Sequence, residues 1–203
     1  MADPIAQSRF RTKGLTYRAI VAHAERSIRG GMGTLRSTLD GPLATFCEQP
    51  FLAGSWYDFL PVVPLSTRAA ELAGIELDSW LRAASRAAAE EQAHGLYRFL
   101  LSFASAESIA LWIPQLTARY FDFGSIHCEK VGPGHVRMRR EGTPAVCVPW
   151  YRVVAPEYVL AAIDLSRKTR HSAEITSTIA ANRRDPASGL DIVTIDFDCR
   201  IVR

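Results

Sequence analysis

The sequence predicts an α+β protein: a helical N-terminal part packed on a C-terminal antiparallel sheet of two hairpins that flank one helix. Two observations place that division. Apolar residues recur at intervals of three and four up to Tyr120, as on one face of a helix, and at intervals of two beyond Phe121, as on one face of a strand. Two alternating stretches beyond Phe121 are joined by turn sequences, Gly132-Pro133-Gly134 and Asp185-Pro186-Ala187-Ser188-Gly189. A third observation sets the scale. At 203 residues, with 48% apolar and 22% charged, the chain can bury one sizeable core. The reading is a single domain over 1–203, helical over 1–120 and sheet with one helix over 121–203.

From Thr12 to Ile28, the residues Leu15, Ala19, Ala22 and Ile28 fall near helical spacing, and Gly30, Gly31 and Gly33 follow as a stop. Thr34 to Gln49 reads as short helical pieces broken at Gly41 and Pro42. Phe51 to Leu65 reads as an extended apolar segment pinned by Pro61 and Pro64. Ser66 or Thr67 can cap a short helix ending at Gly74. Asp78 can cap a long one through Trp80, Leu81, Ala84, Ala88, Leu96, Phe99 and Phe103, and Ser105 another that meets Pro114.

Phe123–Val131 and His135–Glu141 form the first expected hairpin. Pro144–Val154 reads as a partly apolar link or strand, and Pro156 opens a helix through Tyr158, Leu160 and Ile163. Ala173–Arg183 and Leu190–Val202 form the second hairpin. In its last strand Val193, Ile195, Phe197, Cys199 and Ile201 share one face, and Thr194, Asp196, Asp198 and Arg200 the other.

Charge argues against a nucleic-acid or anionic-membrane partner. The net charge is +3, with 12 basic and 11 acidic residues up to Tyr120 and 12 and 10 after it. No run reaches the 18 or so uninterrupted apolar residues of a membrane span, and Met1–Arg26 lacks a signal peptide's pattern, so a cytoplasmic location is expected. Cys47, Cys128, Cys147 and Cys199 include no Cys-x-x-Cys pair and read as thiols of a reducing compartment. Only Lys13, Lys130 and Lys168 are lysine among 24 cationic residues, a bias that suits a GC-rich bacterial genome.

Four short runs carry a resemblance: Lys13-Gly14-Leu15-Thr16-Tyr17, Ser55-Trp56-Tyr57, Tyr120-Phe121-Asp122-Phe123-Gly124 and Ala155-Pro156-Glu157-Tyr158. With the order hairpin, link, helix, hairpin behind a helical half, the chain resembles a paralogous family of myxobacterial proteins. It also resembles the ligand-binding fold shared by heme nitric-oxide-binding-like proteins, vinyl-reductase-type domains and vesicle-tethering TRAPP subunits. The resemblance implies a cavity where helices meet sheet. Heme-sensing members carry a Tyr-x-Ser-x-Arg motif for the heme propionates, and none of Tyr17, Tyr57, Tyr97, Tyr120, Tyr151 or Tyr158 begins one.

Candidate sites are few. Trp56, Tyr57, Trp112, Tyr120, Trp150, Tyr151 and Tyr158, with Phe59, cluster at the joints between helices and sheet, where they would line a pocket or pack a core. His127, Cys128, Cys147 and Cys199 would suit a tetrahedral zinc site if the strands converge. Neighbouring His127 and Cys128 point to opposite faces of a regular strand, and Cys199 lies in a row of core residues. Glu91-x-x-His94 has the helical spacing of a di-metal ligand pair but occurs once. Arg137, Arg139 and Arg140 read as a basic strand edge. There is no Gly-x-Ser-x-Gly elbow, phosphate loop or His-Glu-x-x-His.

The expected function is therefore a non-catalytic module that binds a small apolar or aromatic ligand, or signals through one. The alternatives are an interaction or scaffolding protein acting as a homodimer, and a sensor or enzyme holding heme or zinc.

Overall fold

The computed structural model describes residues 8–93, 104–166 and 172–202. It opens on a short strand, β1 (Arg11–Lys13), that runs straight into helix α1 (Gly14–Ser27). β1 pairs antiparallel with β2 (Trp56–Asp58), and Thr12 also bridges to Phe121, so the start of the chain is bound to the entrance of the sheet. Gly30 takes a left-handed conformation at φ 85°, which ends the first helical run and lets α2 (Gly31–Ser37) start at once. α3 (Gly41–Glu48) follows, with Pro42 in its first turn.

The segment expected to be extended up to Leu65 is instead helical from Val62, in α4 (Val62–Ala73). Pro64 is tolerated there because the first-turn N–H groups of a helix have no partner to lose. Ser66 is consequently a buried residue within the helix, and Gly74 closes it in the left-handed region as expected. α5 (Leu77–Gln92) covers the first half of the long helix read from the sequence. Leu96, Phe99, Phe103 and His94 lie outside the described residues. Ser105 caps α6 (Ala106–Thr117), its Oγ accepting the Ser108 N–H at 3.1 Å.

β3 (Ser125–Gly132), β4 (His135–Pro144), β5 (Ser172–Arg184) and β6 (Asp191–Val202) form one antiparallel sheet in the order β3-β4-β6-β5. The two expected hairpins are present and are joined through their inner strands. β4 is therefore interior, which corrects the reading of its arginines as a strand edge. Arg137 and Arg139 lie on the wet face, paired with Glu129 at 3.1 Å and Asp196 at 2.8 Å. Arg140 is in step with Val136 and Met138 and turns to the core.

The helix between the hairpins also begins earlier than Pro156, where its start was expected. α7 (Val148–Asp164) starts after a 3-10 turn at Ala145–Cys147 and contains Pro156 in its middle, instead of beginning there. Pro149 occupies its first turn. Pro156 withdraws the N–H that would serve the carbonyl four residues back. The helix persists because both sides are packed: α5 and α6 lie against it, and it covers β5. Ser85 of α5 donates to the Val154 carbonyl at 3.0 Å, close to the proline.

Arg86 joins α5 to α7 through Glu157 (2.8 Å) and Asp164 (2.7 Å), and Arg82 reaches the same buried Glu157 at 3.4 Å. Among the described residues, the stretch Ala145–Asp164 is long and apolar enough to cross a membrane by length and composition, but 61% of it is buried against protein. Its hydrophobicity serves the core.

Candidate functional site

Between the helices and the sheet lies an apolar cavity of about 110 Å³. Its floor is the core face of the sheet, with Ile126, Met138 and Phe197. One wall comes from small residues, Ala19 of α1 and Ala84, Ser85 and Ala88 of α5. The opposite wall is aromatic, with Trp150, Tyr151 and Tyr158 of α7 and the linker residues Tyr120 and Phe121. The space exists because alanines at helical i, i+4 spacing face rings across it: small side chains keep the α5 backbone from being covered, and the rings hold the layers apart.

The polar groups of the walls are largely engaged. The Tyr158 hydroxyl donates to Gln92 Oε1 at 2.9 Å, Ser85 is bonded to Val154, and the Trp80 indole donates to Ser27 Oγ at 3.1 Å. Tyr151 is wholly buried, and burial pushes its phenol above the ordinary value despite the opposing pull of Arg140. The Trp150 indole N–H is buried and finds no acceptor among the described residues.

Of the seven aromatic residues read as a pocket, Tyr120, Trp150, Tyr151 and Tyr158 meet at this cavity. Trp56, Tyr57 and Trp112 do not. Trp56 is 40% exposed on β2 with the Lys13 ammonium 3.7 Å from its ring centroid. Tyr57 packs on Phe51 at 5.1 Å, its hydroxyl donating to the Pro50 carbonyl. On α6 the residues Ile109, Ala110 and Ile113 form the buried face, which turns Trp112 outward at 57% exposure.

The sequence reading passed over Trp80, Phe121, Met138, Phe197 and the small residues of α5. Ala84-x-x-x-Ala88 was the available signal, since two alanines on one face of a central helix mark a place where something else must fill or leave space.

Arg140, expected on a basic strand edge, is in the core. This residue is 1% exposed, and its guanidinium lies 5.2 Å from Phe121, 5.0 Å from Phe123 and 5.5 Å from Tyr151, measured to ring centroids. Nη2 donates to the Phe123 carbonyl at 2.9 Å, Nε has no partner, and no carboxylate pairs with it among the described residues. It is the last residue of a Val136-x-Met138-x-Arg140 run. The period-two alternation with Val136 and Met138 places it in the core.

The zinc grouping does not form. Among the described residues there is no cluster of three or more His, Cys, Asp and Glu side chains able to hold a metal. Cys128 sits opposite Met138 and Cys199 opposite Val136, so β4 separates the two by about 10 Å, far beyond shared Zn–S bonds of about 2.3 Å. Cys147 is elsewhere, its Sγ 3.9 Å from the Phe59 carbonyl, and His127 points away from Cys128.

Burial raises the thiols of Cys47, Cys128 and Cys199 to about 11, and that of Cys147 higher still. About one thiol in a thousand is then ionised at pH 8. A thiol reagent at pH 8 is expected to label all four cysteines within minutes in urea and none of Cys47, Cys147 and Cys199 on that time scale in the native protein. Rapid native labelling of those three, read by mass spectrometry, would contradict the packing described.

No protein-family model and no curated protein matches the sequence. Neither comparison supports the resemblance to a myxobacterial family. The fold, by contrast, has many solved counterparts. It is similar to the Fe(II) unliganded H-NOX protein from K. algicida, at 12% identity and a TM-score of 0.61 over 94% of this chain and 97% of that one. An H-NOX protein from S. oneidensis in the Fe(II) ligation state matches at 11% identity and 0.57, over 93% and 96%. A structure described as modulating heme redox potential through porphyrin distortion matches at 9% and 0.58, over 94% and 95%. The chain has the fold of heme nitric-oxide-binding domains.

The described residues around the cavity do not fit a heme. Protein axial ligands to heme iron are chiefly His, Cys, Met or Tyr. The described walls hold no His or Cys. They offer Met138 and the phenols of Tyr120, Tyr151 and Tyr158, of which Tyr158 is engaged with Gln92. No cationic side chain lines the cavity to meet two propionates: Phe121 and Tyr151, which do line it, pack on the guanidinium of Arg140.

Proposed function

We propose that this chain is a non-catalytic ligand-binding module of the sensor type, which holds a small, largely apolar molecule between its helical layer and its sheet. The observation that carries this reading is the cavity itself: an apolar space whose walls come from α1, α5, α7 and the sheet. Its size is close to that of an engineered dry cavity of about 150 Å³ that takes up benzene or xenon. Because the walls belong to both layers, a molecule bound there interacts with whichever arrangement of α5, α7 and sheet suits it, and so shifts the population toward that arrangement.

Toluene is a direct probe. At about 100 times its dissociation constant it should add about 2.7 kcal/mol to the unfolding free energy, a rise of about 5–10 °C in Tm for a chain of this size. Ala84→Leu fills the cavity from the α5 side with a good helix former, and that variant should fold and lose the toluene-dependent rise. Equal stabilisation of both proteins, or of neither, would sink the proposal.

A further inference from the structure

Resting on that reading, we infer that the molecule the cavity takes is uncharged, about one aromatic ring in size, and carries a hydrogen-bond acceptor that meets the indole N–H of Trp150. Trp150 is held firmly. Its ring stands edge-on to Phe59 at 5.5 Å and lies 6.3 Å from Tyr151, and the residue is 6% exposed while forming part of the cavity wall. Its N–H is a donor without an acceptor among the described residues. Buried donors in native proteins are satisfied in the great majority of cases, so an orphan in the wall of a cavity calls for a partner from outside the chain.

Water would need two to four polar partners in a wall that is mostly apolar and whose Tyr158, Ser85 and Trp80 groups are already bonded to Gln92, Val154 and Ser27. A ligand that brings its own acceptor on an apolar body satisfies the donor and the walls together.

Charge and size narrow the class. A carboxylate or ammonium placed here would give up its hydration to walls with no charged side chain. The buried cation Arg140 is packed among Phe121, Phe123 and Tyr151 and donates to the Phe123 carbonyl. About 110 Å³ suits a single substituted ring and leaves no room for a tetrapyrrole unless the aromatic wall moves.

Acetophenone and α-methylstyrene test this as a pair, because they share a shape and differ by a carbonyl oxygen in place of a methylene. In calorimetric titrations of the full chain, Trp150→Phe should weaken acetophenone binding about fivefold or more and leave α-methylstyrene within about twofold. In the unsubstituted protein, the indole N–H resonance that Trp150→Phe removes from the four-tryptophan spectrum should move with acetophenone and stay with α-methylstyrene. That measurement decides the matter if the phenylalanine variant does not fold. Hemin titrated into the same protein should give no one-to-one Soret band.

Equal loss of both ligands in the variant, an indole resonance that ignores acetophenone, or a stoichiometric hemin complex overturns the inference while leaving a binding module in place. If neither aromatic ligand binds the unsubstituted chain, the binding reading falls and the inference with it.

Discussion

Arg140→Ala is expected to lower the free energy of unfolding by about 3 kcal/mol in urea denaturation, one of the two largest effects anticipated for any single substitution in this protein. Arg140 is 1% exposed at the centre of the sheet and has no carboxylate partner among the described residues. Burying a guanidinium this way carries a desolvation penalty. What offsets it is the enclosure by Phe121, Phe123 and Tyr151 at 5.0–5.5 Å and the bond to the Phe123 carbonyl at 2.9 Å. Arginine suits the place because its flat, weakly hydrated head stacks on rings where a lysine ammonium would not. Alanine removes the stem as well as the head, leaving a hole between three rings, of which Phe121 and Tyr151 line the cavity and Phe121 also carries the bridge to Thr12. Arg140→Met separates the two contributions: it keeps most of the volume and relieves the buried charge, so it should lose no more than about 1 kcal/mol. An alanine variant within about 1 kcal/mol of the parent would show that the rings close over the gap.

Gly14→Ala is the second large effect, and it acts on the site through the backbone. A Cβ at Gly14 would overlap the Leu52 carbonyl oxygen and stand 2.8 Å from Tyr57 Cε2. Neither neighbour can retreat freely. The Leu52 carbonyl accepts the Ser55 N–H at 3.1 Å, and the same loop receives the Gly14 N–H at Ser55 O (2.9 Å) and the Leu15 N–H at Ala53 O (3.3 Å). The Tyr57 hydroxyl is tied to Pro50 and Leu52. Relief must come from shifting the start of α1, which carries Leu15, Thr16 and Ala19 of the cavity wall. A loss of about 3 kcal/mol or more is expected, with loss of the toluene-dependent rise in Tm. Gly33→Ala is the control: nothing lies within 4 Å of a Cβ there and the residue is inside α2, so that variant should be as stable as the parent or slightly more so. Similar behaviour of the two alanines would refute the steric account.

Much of the fold was legible because it follows from local patterns. The change of period at Phe121, the two turn sequences, the glycine stops at Gly30 and Gly74 and the Ser105 cap all act through the chain's immediate neighbours and are found in place, whereas Gly31 and Gly33, expected to belong to the first stop, lie inside α2. Besides the interior place of β4, the departures from local pattern lie at prolines. Pro64 and Pro156 both lie inside helices, one spared by the free N–H groups of a first turn and the other held by packing from α5, α6 and β5. The site was half legible. Tyr120, Trp150, Tyr151 and Tyr158 could be picked as aromatic residues at the junction, but nothing in their identity separates them from Trp56, Tyr57 and Trp112.

By itself the sequence determined the division into helices and sheet, the two hairpins and which face of β6 is core, since burial periodicity and turn chemistry are properties of neighbouring residues. The tertiary structure alone decided that β4 is interior and Arg140 buried with it, that the cysteines stand too far apart to share a metal, and that small residues of α5 and rings of α7 border one cavity. Those outcomes depend on which strands and helices become neighbours. That is set by the packing of distant segments against one another, and no local pattern carries it.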